Sequence, residues 1–332
     1  MNWETLDLTA LERLRAAFLS GTAGERDYWR SESDLASYDA TFAQRIGWKW
    51  DYVLAELQRR GWSPTPGPLL DWGCGSGIAH RAFLDFFGTT SASELRLMDR
   101  SPLAVRFATN KARMKYPGLN ITPHSLADGT PLPPGTTLLI SHVLTELQPA
   151  QTEALAEWAA TASTVIWVEP GTYEASLTLI AVRERLRERL NVIAPCTHAG
   201  RCGILAPQNE RHWCHHFASP PPAVFTDSDW GKFAQLAGID LRDLPLSFLV
   251  LDRRAAPALP LGTTRVIGHP RLYKPYALML GCDQTGVTER RLTKRAHPAQ
   301  WRELKHGECD PLQIWRTNGE EITETKPLPP VV

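Results

Sequence analysis

The stretch Asp71-Trp72-Gly73-Cys74-Gly75-Ser76-Gly77 constrains the fold of this chain more than any other segment. It follows a short apolar run, Pro68-Leu69-Leu70, and leads into residues 78–87, which are rich in apolar side chains at helical spacing. Three glycines at alternate positions let the backbone turn tightly and approach a ligand with no Cβ in the way. A strand, a tight turn and a helix are therefore expected. Strand and helix signals then keep alternating: strands at 94–98, 137–141 and 164–168, each followed by a helical stretch, at 102–116, 149–162 and 176–190. Four such units in a row imply an α/β fold with a parallel, doubly wound sheet.

The pattern Asp-x-Gly-x-Gly-x-Gly is the one carried by Rossmann-like, class I S-adenosylmethionine methyltransferases. A dinucleotide fingerprint would need Gly or Ala where Ile78 stands. Asp99, a little over twenty residues past the last glycine, ends the second strand and is placed to hold ribose hydroxyls. The expected cofactor residues are Asp71, Gly73, Gly75, Gly77 and Asp99, with Asp128 beside the adenine and Ser141 at the strand end facing the methyl group. His142 is the candidate base for proton removal. Residues 141–144 hold neither an Asn- or Asp-Pro-Pro-aromatic motif nor a cysteine nucleophile, so the sequence does not advertise catalysis.

Residues 1–65 read as an N-terminal helical region, and the proline-rich run 63–68 links it to the first strand. The Rossmann-like domain is expected over 66–255, interrupted at 191–225 by a cysteine-rich, metal-binding insertion with little periodicity. A small β appendage is expected over 256–310, with short strand signals at 263–267, 276–280 and 286–290, and a polar, fraying tail over 311–332. The amino terminus mixes acids and bases among its apolar residues, unlike a targeting peptide, and no run approaches a membrane span. A cytoplasmic protein with no membrane partner is expected, its cysteines read first as metal ligands.

Cys196, Cys202 and Cys214 lie in the insertion and Cys282 in the appendage. No pair has the two-residue spacing of a zinc knuckle, and four thiols from irregular loops suit an iron-sulfur cluster. Zinc stays open, because His198, His212, His215 and His216 crowd the same stretch. Cys74 reads as a small turn residue and Cys309 as a free thiol.

Lys plus Arg and Asp plus Glu both number 36, yet charge is uneven along the chain. From Arg253 to Lys305, eleven basic residues face three acidic ones, a net of +8 that suits phosphate binding. Arg290, Arg291, Lys294 and Arg295 are its densest part and the candidate contacts to RNA.

The segments Ala194-Pro195-Cys196-Thr197-His198, Cys202 and Trp213-Cys214-His215, residues 248–253, and Arg265-Val266-Ile267 with Cys282 resemble the methyltransferase-like small-ribosomal-subunit assembly family. Leu144-Thr145-Glu146-Leu147 and Glu169-Pro170-Gly171 add to the likeness, which spans roughly residues 35 to 295 and points to a bacterial-type member. Its mitochondrial members are Rsm-twenty-two and methyltransferase-like protein seventeen. The resemblance implies a methyltransferase-type domain, a [4Fe-4S] cluster on the four cysteines, and association with the small ribosomal subunit and its rRNA. A monomer outside the ribosome is expected, and an active RNA or protein methyltransferase is the alternative. The chain departs from the family at Cys202-Gly203, where Cys-Pro is usual, and in the longer gap to Cys214.

Overall fold

A computed structural model describes residues 1–20, 27–124 and 130–329. The chain divides into two compact units, one of Met1–Glu56, Ser63–Pro170 and Phe217–Leu246, the other of Leu57–Trp62, Gly171–His216 and the residues from Ser247 onward.

The first unit opens with α1 (Leu8–Leu19), α2 (Glu32–Ala40) and α3 (Phe42–Arg59). The Asp7 side chain caps α1 by accepting from the Ala10 amide, and Ser31 does the same for α2 through Asp34. The strand and helix series follows: β1 (Gly67–Trp72), α4 (Ile78–Phe87), β2 (Ala92–Met98), α5 (Pro102–Lys115), β3 (Ile121–Pro123), β4 (Thr137–Ser141), α6 (Pro149–Ala159) and β5 (Thr164–Pro170). Their order is β3-β2-β1-β4-β5. Each pairing is parallel from β3 through β4, with Asp71 opposite Leu97 on one side and Leu139 on the other, and β4 runs parallel to β5. Strands buried on both faces need unbroken apolar runs, which Leu138-Leu139-Ile140 and Val165-Ile166-Trp167-Val168 supply. The sheet order reverses between β2 and β4 around β1, so the carboxyl end of β1 opens onto a crevice where ligands of such sheets bind.

The second unit holds α7 (Tyr173–Leu186), β6 (Asn191–Ala194), the first residue of β7 (His216–Ala218) and most of β8 (Leu244–Asp252); α8 (Ser228–Ala237) belongs to the first. β6 pairs antiparallel with β8. Residues 191–194 are thus a strand at the point where no periodicity was expected, because four residues are too few to show one.

The remainder of the second unit is a closed barrel of β9 (Thr263–Leu272), β10 (Tyr276–Asp283), β11 (Gly286–Thr293), β12 (Leu312–Asn318) and β13 (Glu321–Pro327), in the order β10-β11-β13-β12-β9, with α9 (Pro298–Lys305) between β11 and β12. Every pairing is antiparallel except β11 with β13, which is parallel at Arg291 and Glu321. The expected fraying tail after Pro311 is corrected: it supplies two of the five strands. Its apolar residues Trp315 and Ile322 are set among polar ones, and those side chains close the barrel core with Val266, Ala277, Met279 and Leu292. A Cβ on Gly281 would lie 2.4 Å from the Trp315 ring, so glycine there makes room for the indole.

Candidate functional site

The turn after β1 holds Gly73, Gly75 and Gly77 at φ of 68°, 50° and 88°. Its amide at Gly75 donates to Asp99 Oδ2 at 2.8 Å, and the Ser101 amide donates to Oδ1 of the same carboxylate at 2.9 Å. Asp99 is thereby locked at the end of β2, and burial pushes its pKa up against the pull of these two amides. A cavity of about 500 Å³ opens over this turn, within the range of small-molecule sites.

Gly73, Gly75, Asp99, Ser141 and His142 all line that cavity. Two of the expected cofactor residues do not. Asp71 is fully buried and turned onto α4, where it meets His80 Nδ1 at 2.7 Å, so it braces the turn from behind. A Cβ on Gly77 would meet that same His80 ring at 2.4 Å, which makes its glycine a packing requirement. Asp128 lies outside the described residues.

The far wall was not foreseen. Phe18, Tyr28, Trp29, Tyr38 and Phe42 face the cavity, with Tyr28 and Trp29 ring centroids 4.8 Å apart and Trp29 and Tyr38 5.1 Å apart. The N-terminal helical region is therefore part of the site. Arg100 and Glu146 form an ion pair at 3.2 Å beside it, and the Tyr28 hydroxyl hydrogen-bonds Glu146 at 3.2 Å.

At the end of β4, His142 has φ of 55°, a left-handed conformation that a non-glycine residue takes only under constraint. Its Nε2 lies 3.2 Å from Lys49 Nζ, while Trp50 Nε1 donates to Ser141 Oγ at 2.9 Å. Burial, then the charge of Arg45, pulls Lys49 down to about 7 against the opposing charge of Glu169. Burial, then Lys49 and Arg45, holds His142 well below its ordinary value, so its imidazole is neutral. Glu169 is pushed up to about 7, also by burial, although Trp167 Nε1 and the amides of Val143 and Leu144 all donate to it. Of this pair it is therefore Lys49, near 7, that changes charge close to neutrality, while His142 stays neutral beside it.

In the second unit, Cys202 and Cys282 are buried among Ile180, Ile204, Ile267 and Val287, with Cys214 packed on the same cluster. Cys196, Cys202 and Cys214 also border one small cavity with Arg183. The loop bearing Cys196 is pinned by the buried Arg60 guanidinium, which donates to the carbonyls of Ile193, Pro195 and Cys196 at 2.6–2.9 Å. Arg183 Nε donates to Cys196 Sγ at 3.2 Å. Burial, then the neighbouring Cys196, pushes Cys202 up to about 11 and likewise raises Cys214 and Cys282. Histidines approach two of the thiols: His198 Nε2 is 3.8 Å from Cys282 and His216 Nε2 is 3.7 Å from Cys214. Among the described residues, no group of three or more His, Cys, Asp or Glu could hold a single metal ion. Cys196, Cys202 and Cys214 of the insertion and Cys282 of the barrel thus border one apolar neighbourhood without a preformed single-ion site, and metal binding by residues 191–225 is not shown.

Of the basic candidates, Arg290 donates to the Gly319 carbonyl and Arg291 pairs with Glu320 at 3.3 Å while lying over the Tyr276 ring. Lys294 Nζ sits 4.3 Å above the Trp301 ring, and Arg295 is exposed. No helix among the described residues is long and apolar enough to cross a membrane.

A parallel α/β unit with a glycine turn, a strand-end acid and a cavity over both is the frame of a class I methyltransferase fold. The sequence profile of the family described as mitochondrial small ribosomal subunit Rsm22 matches residues 40–309, and the chain belongs to that family. No curated protein matches it. Among solved structures it is similar to an S-adenosylmethionine-dependent methyltransferase from Leishmania major (15% identity, 71% of this chain and 82% of that one, TM-score 0.39). It is also similar to the magnesium protoporphyrin IX methyltransferase of Synechocystis with bound S-adenosylhomocysteine (13%, 73% and 98%, TM-score 0.39). A third is an S-adenosylmethionine-dependent methyltransferase from Aquifex aeolicus (18%, 49% and 90%, TM-score 0.36).

Proposed function

We propose that this chain is a cytoplasmic assembly or translation factor of the small ribosomal subunit, monomeric outside the ribosome. It binds S-adenosylmethionine over the glycine turn, carries a structural [4Fe-4S] cluster and contacts rRNA through Arg290, Arg291, Lys294 and Arg295. The family match over residues 40–309 carries the reading, since it spans the glycine turn, the four cysteines and the basic segment together.

Asp99 suits the ribose hydroxyls, and the glycine turn and Ser141 suit the methionyl end of the cofactor. For the metal, Cys196, Cys202, Cys214 and Cys282 fit a cluster better than one zinc ion. Four thiolates on four irons stand farther apart than the ligands of a single ion, in keeping with thiols that share a neighbourhood and do not meet at one point. Arg183 would donate to a cluster ligand through its bond to Cys196. A bound cluster would cross-link the loop 196–214 to β10, and its binding energy would stabilise the fold.

The Lys49 and His142 pair favours a second reading, a working RNA or protein methyltransferase, because it offers a proton acceptor at the cavity wall. Protein purified without oxygen should be brown, with about four irons per chain that Cys282→Ser removes. One zinc per chain, kept in Cys282→Ser and lost on changing His198 or His215, would refute the cluster. Incubation with immature small subunits and methyl-labelled S-adenosylmethionine separates the two functions: co-sedimentation without label supports an assembly factor, whereas transferred label supports the enzyme.

A further inference from the structure

The barrel has a more specific topology than a β appendage. Three strands meander (β9, β10, β11), a helix follows (α9), and β12 and β13 then close the barrel, with β13 parallel to β11 and β12 antiparallel to β9. That connectivity is the OB-fold, whose second and third strands, flanked by the loops between strands one and two and between strands four and five, form an oligonucleotide-binding face in many proteins. Topology alone assigns no ligand. The side chains on that face do.

The loop from β9 to β10 is Tyr273-Lys274-Pro275, and it is closed by the Tyr273 amide donating to the Tyr276 carbonyl at 2.8 Å. Tyr273 is 44% exposed, and its ring centroid lies 5.0 Å from that of Tyr276 at an interplanar angle of 32°. The Arg291 guanidinium covers Tyr276 with its carbon 5.5 Å from the ring centroid. The opposite loop, Gly319-Glu320, is drawn to the same face by Arg290 and Arg291. Lys274 in the same loop is exposed, as are Lys294, whose amide donates to the Pro275 carbonyl at 2.9 Å, and Arg295 next to it. Arg271 is neutralised by Glu289 and does not count toward the charge.

We propose that the open end of the outer face of β10 and β11, around Tyr276 and Arg291 and away from the buried Cys282 and Val287, binds unpaired RNA, with bases stacking on Tyr273 and Tyr276 and phosphates on Lys274, Arg291, Lys294 and Arg295. The inference rests on the rRNA-binding reading above and makes it narrower: the ligand is single-stranded. Aromatic rings interleaved with cations recognise splayed bases, whereas a duplex hides its base faces and would meet the cations alone. Glu320, itself 74% exposed in its side chain, releases Arg291 to a phosphate at little cost.

The test uses the full-length protein and a fluorescein-labelled oligouridine of about ten nucleotides, a length suited to one OB barrel, followed by fluorescence anisotropy over a salt series. An RNA hairpin of equal charge competes. Oligouridine should bind more tightly than the hairpin. Tyr273→Ala and Tyr276→Ala should each weaken it about tenfold with an unchanged salt slope, and Tyr276→Phe should restore it. Lys274→Glu with Lys294→Glu should instead lower both affinity and slope. Circular dichroism checks that each variant folds. Equal binding of hairpin and oligouridine, unaffected by the tyrosine changes, overturns the single-strand proposal and leaves RNA binding standing. Failure of the wild type to bind either RNA or immature small subunits overturns both.

Discussion

Gly75 and Gly77 sit two residues apart with the same left-handed backbone, yet a methyl group added to each should act on different properties. At Gly75 a Cβ would have nothing within 4 Å, because it would project into open space at a residue that lines the cavity. Gly75→Ala therefore costs only the left-handed strain of an L-residue, about 1–2 kcal/mol, or roughly 2–4 °C in Tm per kcal/mol for a unit of this size. If the proposed cofactor packs against this turn, the same methyl takes up its room, and overpacking there costs about 1–3 kcal/mol, roughly 5- to 150-fold in Kd. At Gly77 the Cβ would lie 2.4 Å from His80 Cε1 and 3.2 Å from the Ala108 methyl. His80 cannot swing away, being fully buried and held by Asp71 at 2.7 Å. Gly77→Ala should lose roughly 2–5 kcal/mol of stability, strain and overpacking together.

Calorimetry with S-adenosylmethionine or its demethylated product, alongside thermal unfolding, reads both effects. Gly75→Ala is expected to melt near the wild type and bind poorly. Undiminished binding by Gly75→Ala would mean that no ligand approaches that backbone, and the cofactor assignment of the cavity would fall. A Gly77→Ala protein as stable as the wild type would instead refute the packing argument at His80.

Asp99→Ala should weaken S-adenosylmethionine by about 1–3 kcal/mol, since buried ribose donors lose their acceptor; unchanged calorimetry would remove Asp99 from the site. The folded pKa of Lys49, about 7, lies below its unfolded value of 10.5, so its contribution to stability is full above 10.5 and is lost as pH falls toward 7. Lys49→Met should accordingly stabilise the protein most at pH 6 and progressively less toward pH 10 in denaturant titrations, and a pH-independent difference would contradict the burial of a charged amine. Glu169 has the opposite sign, with its folded pKa raised from 4.5 to about 7, so Glu169→Gln should cancel a loss of stability that develops as pH rises through that window. Deleting residues 311–332 removes Trp315 and Ile322 from the barrel core, each worth about 1.5–3 kcal/mol of burial, and should unfold the barrel. Protease trimming of that segment with no loss of stability would restore the frayed-tail expectation.

The parallel sheet was legible because each unit repeats a strong local signal: an apolar run for a doubly buried strand, then an apolar face at helical spacing. Helices α5, α6 and α7 begin within three residues of where the pattern places them and differ mainly at their carboxyl ends. The barrel was half legible. Its first three strands are hairpin neighbours with turn residues between them, whereas β12 and β13 are separated from them by α9 and alternate threonine and glutamate with single apolar residues. Alternation so diluted looks like a solvated tail until Trp315 is seen against Gly281 across the barrel.

The site shows where motif reading stops. Gly75 and Asp99 line the cavity as the sequence placed them, because their backbone geometry and strand-end placement follow from local sequence. Asp71 misled, because the same motif letter serves a ligand or a brace. His80 was the available clue, since a histidine among the apolar positions of α4 needs a buried partner and the acid ending β1 is the one at hand. Lys49 carried a similar flag. Phe42, Arg45, Ile46 and Lys49 fall at successive helical spacings on α3, so two cations interrupt the stripe that should face the core. An apolar core would reject both, as the cost of burying an unpaired charge exceeds what one helix face can recover. A stripe of that kind therefore marks a helix that faces a cavity as well as a core, which is how α3 stands against the glycine turn.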